Sequence, residues 1–148
     1  MNEYKRIKVK ILLVEDNAAD IRLTKEVLQK GGIVSTVDII RDGVEAINFL
    51  RKKGKYSNAS TPNLILLDLN LPKRNGFEVL EEIKQDEELK RIPVVILTIS
   101  DSNEDLIKAY NLHANCYVIK PLEMKEFYRI INSIMIFWFR IVKYLDIE

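Results

Sequence analysis

Five polar side chains follow directly on greasy segments where chemistry could be done. Glu15 and Asp16 come after Val9–Val14, Asp68 after Leu64–Leu67, Thr98 after Val94–Leu97 and Lys120 after Tyr117–Ile119. In an open α/β sheet, ligands gather at the carboxyl ends of the strands, which is where all five would meet. If Asp16 and Asp68 stood about 4 Å apart, an effective dielectric of about 20 would put their repulsion on the order of 4 kcal/mol, and Glu15 would add to it. Such a cluster calls for a cation. Oxygen-only ligands suit Mg²⁺, which binds through one or two carboxylates and completes its shell with water and phosphate oxygens. A carboxylate beside a hard cation, an ammonium and a hydroxyl is equipped for phosphoryl transfer. Asp68 attacks as the nucleophile, while the ammonium and the metal offset charge on the equatorial oxygens. Any one of these acids alone is better read as a helix N-cap in a strand-to-helix loop. Four polar ends on four buried strands are not.

The elements that must position them are legible as a pattern. Short runs rich in β-branched residues recur at Val9–Val14, Val37–Ile40, Leu64–Leu67, Val94–Leu97 and Tyr117–Ile119, and read as strands buried on both faces. Helical stripes lie between them. Ile21, Thr24, Val27 and Leu28 form the first, closed by Lys30, Gly31 and Gly32. Ala46, Ile47 and Leu50 form the second, Phe77, Leu80 and Ile83 the third, and Leu106, Ile107 and Tyr110 the fourth. From about Glu123 the chain reads as helical and apolar to about Leu145. Five βα units of this kind predict an α/β domain with a parallel sheet covered on both faces.

The chain has 148 residues, enough for one domain with a real core. Its 23 basic and 22 acidic residues leave a net charge of +1, so no global field draws it to nucleic acid. The single cysteine, Cys116, excludes an internal disulfide and fits a reducing cytoplasm. The first sixteen residues do not read as a signal peptide, and IINSIMIFWFRIV falls short of the roughly 20 residues of a membrane span. The expected protein is cytoplasmic, off the membrane and off nucleic acid.

The ordered set Glu15-Asp16, Asp68, Thr98 and Lys120-Pro121, one motif per strand, resembles the CheY-like receiver domain of two-component response regulators, from about Val9 to about Ser133. The resemblance implies a flavodoxin-like, doubly wound (βα)5 fold with a five-stranded parallel sheet in the order 2-1-3-4-5. Residues 1–148 would form one receiver domain with an extended apolar C-terminal helix. It implies that Glu15, Asp16, Asp68 and the backbone carbonyl of Asn70 hold Mg²⁺, and that Asp68 takes phosphate from a sensor histidine kinase. Thr98 and Lys120 would engage the phosphoryl group, Tyr117 would be the switch aromatic that moves inward with Thr98, and the Lys120–Pro121 bond would be cis. More narrowly, AYNLHANCYVIKPL and the long loop over residues 51–61 look like the single-domain regulators partnered with bacterial phytochromes, which makes a phytochrome-like kinase one expected partner.

Other residues invite a bland reading. His113 falls after the fourth helix, away from the acids, and Cys116 is a small apolar residue before the last strand. Arg51, Lys52, Lys53 and Lys55 read as a solvated helix end, and Glu81-Glu82 with Asp86-Glu87-Glu88 as an exposed helix face. The terminal helix is apolar nearly all round, and its own sheet covers one side. A homodimer surface built on Ile134, Phe137 and Trp138 is therefore expected. The expected function is a phosphoryl-accepting switch that acts through its surface, not an enzyme with turnover beyond its own phosphotransfer and dephosphorylation. Two alternatives differ in class. A phosphatase with an Asp nucleophile would be poor here, because the position two residues on is Asn70 in place of an acid. A non-phosphorylated dimeric scaffold would make no use of the acid, threonine and lysine set.

Overall fold

The computed structural model describes residues 9–32 and 34–145. The leader reading, which rests largely on residues 1–8, and the outer limits of a domain spanning 1–148 lie outside the described residues. Five strands alternate with five helices: β1 (Val9–Val14), α1 (Ala18–Lys30), β2 (Val34–Ile40), α2 (Gly43–Leu50), β3 (Leu64–Leu67), α3 (Gly76–Gln85), β4 (Val94–Thr98), α4 (Asn103–Asn111), β5 (Cys116–Ile119) and α5 (Met124–Ile136). The strands are all parallel, in the order β2-β1-β3-β4-β5. This is the expected flavodoxin-like topology.

The period of two along each strand divides the interior in two. Leu12, Val14, Ile65, Leu67, Val94 and Ile96 face one side, against Ala46, Ile47 and Leu50 of α2, Val79, Leu80 and Ile83 of α3, and Ala109 of α4. Val9, Ile11, Leu13, Leu64, Leu66, Val95 and Leu97 face the other, against Val27 and Leu28 of α1 and Phe127, Ile131 and Ile134 of α5. The central strands are buried on both faces, which is why they read as unbroken apolar runs.

Helix starts are specified by side chains that accept from orphan backbone amides. Asn17, Asp42, Asn75 and Ser102 cap α1, α2, α3 and α4, and Asn75 forms a reciprocal capping box with Glu78. His113 takes a left-handed φ of 70° just beyond α4, and its N–H closes on the Tyr110 carbonyl at 3.0 Å. Its place is a helix stop, in line with the structural role expected for it.

Three element limits differ from the sequence reading. β2 starts at Val34, not Val37, because β1 pairs with it from Val9 onward through a register shift. Polar residues hide this extension, as they do on many edge strands. The run 51–61 is pinned, not a loose loop: Tyr56 packs edge-on to Phe49 at 5.4 Å and donates its hydroxyl to Glu45 at 2.6 Å. Arg51 reaches Glu82 of α3 and Asp86 at its C-terminal cap, so those acids are paired with the α2 end in place of forming a purely solvated face.

The third difference is at the C-terminus, where α5 ends at Ile136 and the chain widens into one π turn, Phe137–Ile141, before extending at Val142. Phe127, Ile131, Ile134 and Met135 face the sheet at helical spacing, and Phe139 joins them beside Tyr144, 5.2 Å between rings. Ile134 was expected on a dimer surface. It is 9% exposed and belongs to the core of its own domain, because the spacing 127, 131, 134 sets the inward stripe of α5. Phe137 is 48% exposed, and Trp138 is partly covered and stacks edge-on against it at 5.7 Å. No helix among the described residues is long and apolar enough to cross a membrane.

Candidate functional site

β1, β3 and β4 lie side by side in the sheet, and their carboxyl ends present Glu15, Asp68 and Thr98 as buried polar residues, with Lys120 just past the end of β5 beyond β4. Glu15 is fixed by the helix that follows it. Its Oε2 accepts from the backbone N–H groups of Asp16 at 3.0 Å and Asn17 at 3.3 Å, the amides that lead into α1. Its Oε1 accepts a hydrogen bond from the Lys120 ammonium. The same ammonium donates to Asp20 Oδ2 at 2.9 Å and to Asp68 Oδ2 at 3.3 Å. Three donors thus serve three carboxylates. Asp68 Oδ1 in turn accepts from the Asn70 backbone N–H at 3.3 Å.

The loop after Asp68 is held by two close approaches of backbone to backbone. A Cβ on Gly76 would stand 2.3 Å from the Asp68 carbonyl oxygen, and one on Gly43 would stand 2.0 Å from that of Arg74. Only glycine fits at either place, and Gly76 sets α3 directly against the residue that carries the carboxylate. Across the site, the Thr98 hydroxyl accepts from the Ser100 N–H at 3.3 Å. Tyr117, half-buried, donates its hydroxyl to the Ser100 carbonyl at 2.9 Å, and the Ser100 hydroxyl donates to Asp105 at 2.7 Å. Thr98 and Tyr117 therefore share one neighbour in the β4–α4 loop.

The electrostatics are those of a crowded anionic pocket. Burial pushes the Glu15 carboxyl up to about 7, and the nearby Asp68 adds to the rise while Lys120 opposes it. Burial alone would lower the Lys120 pKa, but the hydrogen bonds to Glu15 and Asp20 and the charges of Glu15 and Asp68 outweigh it, and the net shift is upward. One ammonium does not neutralise three carboxylates. The surplus can be relieved by a proton on Glu15 or by a second cation.

Two sequence expectations change here. The Lys120–Pro121 bond is trans, as are all peptide bonds among the described residues. The trans form is the ordinary preference even before proline, and with it Lys120 already reaches its three carboxylates. Asp16 is turned toward Arg41 and solvent: its side chain is half exposed and lies 3.7 Å from Arg41 Nε, while Arg41 also donates to the Asp16 carbonyl at 3.0 Å. Among the described residues, no group of three or more His, Cys, Asp or Glu side chains is arranged to hold a metal ion. The Lys120 ammonium supplies the positive charge between Glu15 and Asp68. The donor chemistry nevertheless fits a hard divalent cation, being oxygen-only, partly buried and net negative, with Asp16 on a solvent-facing side chain at its rim.

Asp20 was missed by sequence reasoning. Its only mark in the sequence is a place in the first turn of α1, behind the Asn17 cap, where an acid is already favoured by the helix dipole. Arg41, Ser100 and Gly76 were missed as well; of these only the Asn-Gly pair at the start of α3 marks itself in the sequence.

Residues 11–132 match the family described as response regulator receiver domain. The chain belongs to this family. Among relatives, it is 52% identical over 132 residues to the response regulator Rcp1 of a Synechocystis species, covering 89% of this chain and 90% of that protein. Among solved structures, the phosphorylated cyanobacterial phytochrome response regulator RcpA superposes with a TM-score of 0.91 at 48% identity, covering 94% of this chain and 99% of that one. The Mn(2+)-bound form of Rcp1 superposes with a TM-score of 0.88 at 48% identity, covering 93% and 99%. The receiver fold and a two-component signalling role follow from this membership.

Proposed function

We propose that this receiver domain is a Mg²⁺-dependent phosphoryl acceptor, modified on Asp68 by a sensor histidine kinase, and that it signals through changes of its own surface. The observation that carries the reading is the Lys120 ammonium held between the buried carboxylates of Glu15 and Asp68 at adjoining strand ends. An Asp68 oxygen attacks the phosphorus of a phosphohistidine and forms an acyl phosphate. The P–N bond breaks, and the leaving imidazole takes the electron pair and is protonated. Lys120 turns the N–H it had given to Asp68 toward a phosphoryl oxygen, and Thr98 offers its hydroxyl to another. Glu15, Asp16, Asp68 and the Asn70 carbonyl are the residues that would hold Mg²⁺, which when bound offsets charge on the transferred phosphoryl group.

Drawing Thr98 toward the phosphoryl group removes its bond from the Ser100 N–H, and Tyr117, bonded to the same residue, is freed to move inward. The kinase is phytochrome-like by analogy with RcpA, and the pocket chemistry does not depend on which sensor drives it. Phe137 and Trp138 supply the centre of a homodimer surface, and the domain works in the cytoplasm. Incubation with acetyl phosphate and Mg²⁺ followed by intact-mass measurement should show one added phosphoryl group, absent in Asp68→Asn. An unmodified wild-type chain beside a modified control receiver would overturn the reading.

A further inference from the structure

We propose that Asp20 is a positioning residue for phosphoryl acceptance, holding the Lys120 ammonium in place while the other two carboxylates change their charge or partners. This rests on Asp68 being the phosphoacceptor. Lys120 follows the edge strand β5, and its ammonium rides on a flexible four-carbon stem, so its location is set by its acceptors. All three of its N–H groups are taken, by Glu15, Asp20 and Asp68. Two of those acceptors are altered by the reaction. Asp68 loses its carboxylate charge on becoming an acyl phosphate, and Glu15 is shared with the cation. Asp20 is altered by neither.

Its backbone is anchored by a helix cap. Asp20 sits in the first turn of α1, where its backbone N–H is tied to the side chain of the helix cap Asn17 at 3.0 Å. Its side chain is 26% exposed, against 3% for Glu15 and 8% for Asp68, so it is the most solvent-facing of the three acceptors. With Asp20 in place, the N–H released by Asp68 has one direction to go, toward the new phosphoryl group. Without it, the ammonium swings toward Glu15 or solvent, and the phosphoryl oxygens meet it out of line.

Substitution separates position from charge. Asp20→Asn keeps an acceptor oxygen at the same place, whereas Asp20→Ala removes it. With acetyl phosphate at saturating Mg²⁺, Asp20→Ala should phosphorylate about tenfold more slowly than wild type and Asp20→Asn within about threefold of it. The ¹⁵N signal of the Lys120 ammonium, assigned with Lys120→Arg and recorded without any phosphoryl donor, should stay sharp in wild type and Asp20→Asn and be lost to fast exchange in Asp20→Ala. An Asp20→Ala chain with wild-type rate and signal overturns the proposal. So does an Asp20→Asn chain as slow as Asp20→Ala, because the effect would then be one of charge. If wild type takes no phosphoryl group, the phosphoacceptor reading fails, and the ammonium signal still decides whether Asp20 holds Lys120.

Discussion

The strand-end pocket and the C-terminal aromatic segment solve opposite problems. The pocket gathers charge from residues 15, 20, 68 and 120 into a buried volume, and every charge in it has a named partner on another element. The segment from Met124 to Leu145 carries a dense run of apolar side chains and sorts them by direction, with Phe139 buried at 3% exposure and Phe137 at 48%. In the pocket, identity matters and each residue is hard to replace. Along the segment, phase matters: two neighbouring phenylalanines have different fates because one faces the sheet and the other solvent.

That contrast can be broken most forcefully at Phe139. Replacing it by Ala should cost about 3–5 kcal/mol in urea unfolding, as for a well-packed buried ring. A loss close to zero would mean that the π turn does not fix the ring in the core. Next is Gly76→Ala, whose Cβ would meet the Asp68 carbonyl at 2.3 Å. A cost of about 3 kcal/mol is expected, together with slower phosphoryl acceptance, because the loop that yields carries Asp68. Stability without a change in acceptance would sever the link between α3 packing and the site.

The pocket makes a pH prediction of its own. Glu15 rises from 4.5 to about 7 on folding, so between those values the folded chain binds more protons than the unfolded one. Stability from this group is full below about 4.5, declines as pH rises through about 7, and is level above it. In metal-free buffer the decline should amount to roughly 3 kcal/mol, and Glu15→Gln should flatten it. The smallest effect is expected at Phe137→Ala, within about 0.5 kcal/mol of wild type for the monomer. The same substitution should weaken self-association in sedimentation. Unchanged association would remove Phe137 from the dimer surface.

Legibility in the sequence followed the same divide. The acids, Thr98 and Lys120 stood out because carboxylates and an ammonium at the ends of buried runs demand a reason, and their order along the chain carried the family and the strand order. Asp20 did not stand out, since its partner lies far away in sequence and an acid in the first turn of a helix is already accounted for by the helix dipole. The pairing of Asp16 with Arg41 was equally hidden, because it depends on the loop after β2 folding over the start of α1. In the terminal segment, composition suggested an outward surface, while the spacing of Phe127, Ile131 and Ile134 already described an inward one. The end of α5 could not be read, because between Ile136 and Val142 the chain carries a single polar residue, Arg140, and no glycine, proline or cap that would mark where the backbone widens.

The central claim is that the pocket's surplus negative charge must be met by a cation before Asp68 can accept phosphate. The most direct test follows phosphoryl gain by intact mass at fixed acetyl phosphate while Mg²⁺ is titrated, at one pH above 7 and one below. The account predicts no gain without Mg²⁺, saturation as it is added, and a higher Mg²⁺ requirement at the lower pH, where Glu15 holds a proton. Equal gain with and without Mg²⁺ would contradict it.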